Sequence, residues 1–385
     1  MRIFLSAQQA LRHHAVPNYA FWEFYFKQGL AEAGHEVIET PGADWAEGLT
    51  ALTPAARARW LGDTWTRTID FLRIEHARQP VGLFLSYLFP NQIEPAAVAA
   101  VRALGIPCVN FFCDNIREFT RVPANFHGFD LHWVPEADAR AIYTTAGLPF
   151  VYAPMPMWVP PEFRTVPGKE NNDITFIGSH DMLREDLLGD AVALGLPLRL
   201  HGDGWRSSGP DTTRPPRTLG GTVSNQAAFL RTHGLQGFAM RATYQLHRSR
   251  PNGWIAPCWH PPVEREDYFR ATCESQVVLG INRYPSFRHS FSKPGRYYRL
   301  RDIEAPMLGT CYLTERAPGL ADLYDLGTEI ETYRDAAELV EKAMQLRRDP
   351  ARRASLRRLG QRRALADHTL ARSLTRITDR LGLPA

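Results

Sequence analysis

The stretch Tyr298-Arg-Leu-Arg-Asp-Ile-Glu-Ala-Pro-Met-Leu-Gly-Thr-Cys-Tyr-Leu-Thr-Glu315 joins a short helical pattern to an apolar strand that follows at once. It places the carboxylate of Glu304 near two cations, Arg299 and Arg301, and five residues before Gly309. A glutamate beside arginine at the start of a helix can hold a ribose by its hydroxyls while the cations face a diphosphate. Spacing alone suits a surface ion pair on a helix equally well.

The order of the residues in this stretch is more specific than their spacing. Glu304-Ala305-x-x-x-Gly309 resembles the donor-binding motif of GT-B-fold glycosyltransferases, in which a glutamate, a small residue and a glycine open the helix beside the sugar nucleotide. The continuation from Gly319 to Arg334 is also similar to that family. The resemblance implies that Glu304, Gly309 and Thr310 lie beside a nucleotide-sugar donor.

Within these enzymes the chain most resembles the spore-maturation (CgeB-like) group, well over residues 172–380 and in outline over the first 160. It departs from the fuller motif at one position. Many retaining members carry a second glutamate eight residues before the first, and this sequence has Arg296 there. The part that this carboxylate plays toward the sugar ring is therefore open.

The composition excludes a disordered chain and a membrane-spanning one. With 385 residues, 44% hydrophobic and 22% charged, the chain can bury the cores of two or three domains. Its longest apolar run, near Val81 to Phe89, is too short to cross a bilayer, and no secretion signal precedes the first strand. None of the five cysteines forms a metal-type pair, so we expect buried thiols in the reducing cytoplasm.

Positive charge is concentrated near the end of the chain. Residues 347–380 hold eleven arginines and three aspartates, a local charge of +8 in a chain of net +4. Leu370, Leu374, Ile377 and Leu381 recur at helical spacing, which predicts a basic amphipathic helix. Such a helix can touch anionic lipid or nucleic acid, but a solvated face on a packed helix is the favoured interpretation. We expect no nucleic-acid partner and at most a weak contact with a membrane surface.

Residues 1–155 alternate between apolar strands and helices, which predicts parallel strands in a doubly wound sheet. In the long helix predicted over residues 55–77, the expected core positions are Trp60, Thr64, Phe71 and Ile74. Residues 156–170 lie in a proline-rich stretch typical of a linker. The α/β pattern restarts over residues 171–368, so the expected fold is α/β, with two Rossmann-like domains of the GT-B type facing a cleft. The last helix, residues 369–385, is expected to return to the N-terminal domain.

Two turns in the second domain are candidates for donor contacts. Gly178-Ser179-His180 leaves a strand and enters a helix that carries Arg184, an arrangement that suits a phosphate as well as a purely structural turn. In the resembled family this turn lines the interdomain cleft. Gly202 allows close backbone approach, and Trp205 either stacks on a base or lies buried under the turn. Residues 206–260 do not follow the α/β pattern. They are interpreted either as an acceptor-specific insertion or as an interaction surface.

The loop from Asn282 to Gly295 is dense in cations and hydroxyls. We expect Lys293 and Arg301 to neutralise the diphosphate leaving group, because charge builds there as the glycosidic bond breaks; a solvated loop is the alternative. The sequence contains no Asp-x-Asp pair to grip a divalent metal. The resemblance implies an enzyme that uses protein cations and helix ends, with no obligatory metal and no cofactor.

Asp114 follows the strand that ends near Cys113, at the edge where parallel sheets bind ligands. It can deprotonate an acceptor hydroxyl, or it can cap the next helix. The loop carrying His13 leaves the first strand in the same direction and can contact the acceptor. A retaining reaction would need no such base.

These features predict a cytoplasmic, metal-independent glycosyltransferase. Its partners would be a nucleotide-diphosphate sugar bound by the second domain and an unidentified acceptor (a glycan, lipid, protein or small molecule) bound by the first. Two alternatives stay open: a nucleotide-sugar epimerase on the same fold, and a non-catalytic module that binds nucleotide sugars.

Overall fold

The chain forms two compact units in the computed structural model, which describes residues 1–14, 20–205, 253–263, 265–286 and 288–383. The first unit comprises Met1–Val159 together with Ala364–Ala385, and the second comprises Pro160–Arg363. The chain therefore passes into the second unit after Val159 and returns after Arg363. Most of the poorly patterned segment, residues 206–252, lies outside the described residues.

The first unit is built on a six-stranded parallel sheet of order β2-β1-β3-β4-β5-β6. Its strands are β1 (Arg2–Ser6), β2 (Glu36–Ile38), β3 (Leu83–Ser86), β4 (Cys108–Phe111), β5 (Leu131–Val134) and β6 (Phe150–Tyr152). Its first five helices are α1 (Ala20–Glu32), α2 (Pro54–Arg78), α3 (Pro95–Arg102), α4 (Asn115–Glu118) and α5 (Ala139–Ala146). Every residue of β1, β3, β4 and β5 is buried, as expected for parallel strands covered on both faces.

Helix α2 shows where the core prediction was right and where it was wrong. Trp60 and Thr64 are buried as expected, but Ile74 is 52% exposed. The buried stripe continues instead through Thr68 to Leu72 at intervals of four residues. Two residues beyond Leu72 the helix has turned by about 200°, so Ile74 points away from the sheet.

The second unit repeats the plan with a six-stranded parallel sheet of order β14-β13-β10-β7-β8-β9. Its strands are β7 (Ile174–Ile177), β8 (Leu198–His201), β9 (Trp259–His260), β10 (Val277–Gly280), β13 (Tyr312–Glu315) and β14 (Glu331–Tyr333). A separate antiparallel hairpin pairs β11 (Arg283–Tyr284) with β12 (Gly295–Arg296). The described helices are α6 (Met182–Ala193), α7 (Arg265–Glu274), α8 (Arg301–Met307), α9 (Leu320–Leu323), α10 (Ala336–Arg348) and α11 (Pro350–Asp367). The prediction of two α/β units with parallel sheets is confirmed.

The helix α12 (Leu370–Leu381) belongs to the first unit, where it packs against α1, β5 and β6. Its amide at Leu370 donates to the carbonyl of Met157 at 3.2 Å. The apolar positions Leu370, Leu374 and Ile377 are buried there, so they are not available to a lipid surface. The exposed face of α12 carries three arginines that an anionic partner could contact: Arg372, Arg376 and Arg380.

None of the helices in the described part of the chain is long and apolar enough to span a bilayer. All five cysteines are free thiols, and four of them are buried. Burial raises the pKa of Cys273 and of Cys311 to about 12, which keeps both in the unreactive thiol form.

Candidate functional site

The turn after β7 is held by a dense set of internal hydrogen bonds. Asp181 caps α6 by accepting from the amides of Leu183 and Arg184, both at 3.0 Å. The amide of Gly178 donates to the His201 carbonyl. The amides of Gly178, Leu183 and Arg184 therefore already have internal acceptors.

Trp205 packs against the same turn and donates a hydrogen bond to it. Its indole N–H donates to the Gly178 carbonyl at 2.7 Å, and its ring lies edge-on to His180 at 5.1 Å. The backbone at Gly202, with φ of 140°, passes so close that a Cβ there would lie 2.1 Å from the Gly178 oxygen. Gly202 and Trp205 thus fix the shape of the turn, and Trp205 is 8% exposed.

Three arginines lie in α6 and around the start of α8: Arg184, Arg299 and Arg301. Arg184 donates to the carbonyl of Ser179 at 2.7 Å and pairs with Asp181 at 3.1 Å. Burial lowers the pKa of Arg184 to about 10, and the positive charges of Arg299 and Arg301 add to that decrease. Arg299 donates to the carbonyl of Arg283 in β11 at 3.0 Å, and β11 packs against α6, the helix that carries Arg184. Such a cluster has the charge that suits a multiply charged anion such as a diphosphate.

Glu304 lies in α8, one turn after Arg301, and is 3% exposed. The phenol of Tyr268, from α7, donates a hydrogen bond to its Oε2. The Arg301 guanidinium stacks over the ring of the same tyrosine, 5.0 Å from its centroid. The carboxylate and the cation that the sequence singled out are thus both in contact with Tyr268, which sequence reasoning missed.

Two other residues of the motif end the helix. Gly309 has φ of 67°, the left-handed conformation that terminates helices, and Thr310 Oγ1 donates to the Ala305 carbonyl at 2.9 Å. Asp302, fully buried, accepts hydrogen bonds from Tyr312 and Thr314 in β13 and so fastens α8 to the sheet. Burial raises the pKa of Asp302, although these hydrogen bonds oppose the rise.

Arg296, which stands where many retaining enzymes have glutamate, is paired with Glu315 at 2.6 Å. Arg283 contacts the same carboxylate at 2.7 Å. Burial favours the neutral form of Glu315, but hydrogen bonds from the two arginines outweigh it and lower its pKa. This clamp closes the base of the β11–β12 hairpin, in whose connecting loop Lys293 is exposed.

In the first unit, Asp114 follows β4 at the carboxyl edge of the sheet and pairs loosely with Arg117 at 3.8 Å. Its side chain does not cap α4. Glu136, buried two residues after β5, takes that place by accepting from the Asn115 amide and side chain, both at 2.6 Å. Burial raises the pKa of Glu136 to about 8 despite those hydrogen bonds. Asp114 thus occupies the N-cap position of α4, as the alternative interpretation expected, but its side chain makes no capping hydrogen bond.

His13 lies exposed in the loop that follows β1. The neighbouring His14 is buried, and its Nε2 lies 2.9 and 2.8 Å from the two oxygens of Asp44. Asp44 also accepts from the amide of Glu47. No sequence signal links His14 to a carboxylate 30 residues away, so sequence reasoning did not separate the two histidines.

Within the described ranges, no group of three or more His, Cys, Asp or Glu side chains is arranged to hold a metal ion. Most of the donor candidates of the second unit fall into two sets. Gly178, Ser179, Arg184, Gly202 and Trp205 form the turn after β7 or pack against it. Arg301 and Glu304 lie in the first turn of α8, and Gly309 and Thr310 follow the end of that helix. Lys293 lies apart from both sets, in the loop between β11 and β12.

The model of a family described as glycosyl transferase-like matches residues 184–379. No match was found among the curated proteins. Sucrose-phosphate synthase from Thermosynechococcus elongatus is similar in structure, with a TM-score of 0.54 and 14% identity over 99% of this chain and 98% of that one. HepE from Anabaena, in complex with UDP-glucose, has a TM-score of 0.53 and 12% identity over 99% of each chain. A glycosyltransferase from Rickettsia africae has a TM-score of 0.56 and 10% identity over 99% and 98%. At these identities the likeness is one of fold.

Proposed function

Because this chain belongs to the glycosyl transferase-like family, we propose that it transfers a sugar from a nucleoside diphosphate to an acceptor. The observation that carries the proposal is the combination, in the second unit, of the buried Glu304 carboxylate with Arg184, Arg299 and Arg301 on the neighbouring elements α6 and α8 and the segment before α8. A ribose and a diphosphate are adjacent parts of one ligand. Arg301, one helical turn from Glu304, links the group suited to the ribose with the groups suited to the phosphates.

The chemistry of these side chains fits the departure of a nucleoside diphosphate. Glu304 can accept hydrogen bonds from ribose hydroxyls, which fixes the nucleoside. The arginine cluster meets the negative charge that grows on the diphosphate as the bond to the sugar breaks, and fixed cations stabilise that transition state. We propose that these cations remove the need for a divalent metal, so that activity persists in a chelator.

We propose uridine as the first base to test, since HepE of Anabaena, which shares the fold, was crystallised with UDP and with UDP-glucose. The donor sugar would be a hexose or a related sugar. Membership in the spore-maturation (CgeB-like) group is a further proposal, supported by the motif from Glu304 to Gly309. The five free thiols favour a cytoplasmic location.

For the acceptor we propose the first unit, with Asp114 as the base and His13 as a contact. The position of Asp114 supports this assignment, because it follows β4 at the carboxyl edge of the sheet, where such sheets bind ligands. Replacement of Asp114 by asparagine is expected to lower kcat for transfer while donor binding persists. Donor binding that falls along with kcat would contradict this division of roles.

The proposal is tested by thermal shift with nucleoside diphosphates and their sugars in the presence of EDTA. UDP at a hundred times its Kd raises the stability of the unit that binds it by about 2.7 kcal/mol. Glu304→Ala is expected to abolish that shift, whereas Glu341→Ala, which removes an exposed glutamate of the same unit, is expected to preserve it. No shift with any nucleotide would refute the donor site.

Product analysis then separates transfer from the two alternatives. Wild-type protein is incubated with the stabilising sugar nucleotide, with and without a panel of acceptors, and the products are identified by mass spectrometry and chromatography. Acceptor-dependent release of the nucleoside diphosphate supports transfer. An isomeric sugar nucleotide formed without acceptor indicates an epimerase, and binding without turnover across the panel indicates a binding module.

A further inference from the structure

Tyr268 contacts both side chains on which the proposed donor site depends. Its hydroxyl donates to Oε2 of Glu304, and its ring lies under the guanidinium of Arg301, 5.0 Å from the centroid. A charge-assisted hydrogen bond fixes the rotation of a carboxylate, and a cation–π contact fixes the position of a guanidinium. One side chain therefore sets the orientation of the two groups together.

The helix that carries Tyr268 is itself anchored to α8. Arg357, buried in α11, donates to the carbonyl of Cys273 in α7 at 2.9 Å and to that of Gly309, just after α8, at 3.2 Å. The thiol of Cys273 reaches the Leu308 carbonyl at 3.4 Å. These bonds hold α7 and α8 in a fixed relation, so the contact between Tyr268 and Glu304 follows from the packing of the helices.

We propose that Tyr268 is a positioning residue of the donor site. Its hydroxyl orients the Glu304 carboxylate toward ribose hydroxyls, and its ring orients Arg301 toward the diphosphate. The inference rests on the proposed function, since it assigns the tyrosine hydroxyl to the ribose and the tyrosine ring to the diphosphate of one bound nucleotide. The division makes the two effects separable by mutation, because phenylalanine removes the hydroxyl and keeps the ring.

The test compares three probes on the full chain by calorimetry: UDP, 2′,3′-dideoxy-UDP and inorganic pyrophosphate. ADP and GDP with their dideoxy forms are run in parallel, so that the result does not depend on the base. The wild type is expected to prefer the ribose form by about tenfold, the value of a hydrogen bond to a charged group. In Tyr268→Phe that preference is expected to fall below about threefold with pyrophosphate binding unchanged, whereas Tyr268→Leu is expected to weaken pyrophosphate binding as well, by about threefold.

Two further variants distinguish positioning from a general structural role. Tyr312→Phe removes a hydroxyl that donates to a different carboxylate of α8, Asp302, at 3.0 Å, and is expected to keep the wild-type preference for ribose. In a Glu304→Gln background, adding Tyr268→Phe is expected to change the preference no further. Tyr268→His keeps a ring and an N–H donor and is expected to restore part of the preference.

Each outcome bears on one of the two proposals. A wild type that binds none of the probes contradicts the proposed function. Nucleotide binding whose ribose preference is lost in Glu304→Gln but retained in Tyr268→Phe overturns the role of Tyr268 alone. A uniform weakening of all probes in Tyr268→Phe also overturns it, because a structural defect does not discriminate between ribose and phosphate.

Discussion

Glu136 gives the first unit a stability that decreases as the pH rises, and Glu136→Gln is expected to remove this dependence. The carboxyl is fully buried beyond β5, and burial raises its pKa to about 8 from an ordinary value of 4.5. Between these values the native state keeps the proton while the unfolded chain has released it. The native state then binds more protons than the unfolded state, so the free energy of unfolding falls with increasing pH.

The size of the effect follows from the width of that interval. Each pH unit within it costs about 1.4 kcal/mol, so the loss between pH 5.5 and 7.5 is about 3 kcal/mol. Glutamine carries no titrating proton and is expected to show only a constant cost, since its amide can accept from Asn115 through one oxygen rather than two. The free energy that separates wild type from variant should therefore change by about 3 kcal/mol across the two pH units, in favour of the variant at the higher pH.

Melting curves of both proteins, recorded in half-unit steps from pH 5.5 to 7.5, measure this difference. For a unit of this size about 1 kcal/mol corresponds to 2–4 °C, so the gap in Tm should shift by roughly 6–12 °C. Glu118→Gln removes an exposed carboxyl from the neighbouring helix α4 and controls for the loss of one charge. A gap between wild type and Glu136→Gln that stays constant with pH would refute the argument.

Two further predictions concern the second unit. Arg357→Met removes a buried cation that donates to several carbonyls, and it is expected to lower the free energy of unfolding by about 3 kcal/mol. The control, Arg358→Met, removes an exposed arginine and is expected to change it by less than about 0.5 kcal/mol. Equal urea midpoints for the two variants would contradict this prediction. Gly280→Ala would place a Cβ 2.2 Å from the Tyr312 hydroxyl and is expected to cost about 1–3 kcal/mol, as measured by denaturation. Gly62→Ala, whose Cβ meets nothing within 4 Å, is its control and should be neutral or stabilising, so a similar loss at both positions would count against the packing argument.

The sheets could be predicted from the sequence because their strands are continuous runs of apolar residues. Residues 83–86 and 277–280 are buried on both faces, and such runs flanked by helical patterns specify parallel sheets. The helix faces were harder, as Ile74 shows. In a helix of 25 residues with several aromatic and β-branched positions, more than one apolar stripe can be drawn, and only packing against the sheet selects among them.

The candidate site could be predicted where its members are neighbours in the chain. Arg301 and Glu304 occupy one helical turn, so their spacing revealed them. Tyr268 precedes Glu304 by 36 residues, and Asp44 follows His14 by 30, and neither separation carries a periodic signal. Partners of that kind are chosen by which elements the fold brings side by side.

The passage of the chain out of the first unit and back has a consequence for synthesis on the ribosome. The second unit is a single uninterrupted segment, Pro160–Arg363, and can complete its core as soon as that segment has emerged. The first unit has to wait for α12, whose buried leucines cover α1 and the sheet strands β5 and β6. Domains usually fold in the order in which they are made. In this chain the unit whose synthesis begins first is completed last. Until α12 has been synthesised, the apolar surface that it covers stays exposed to chaperones.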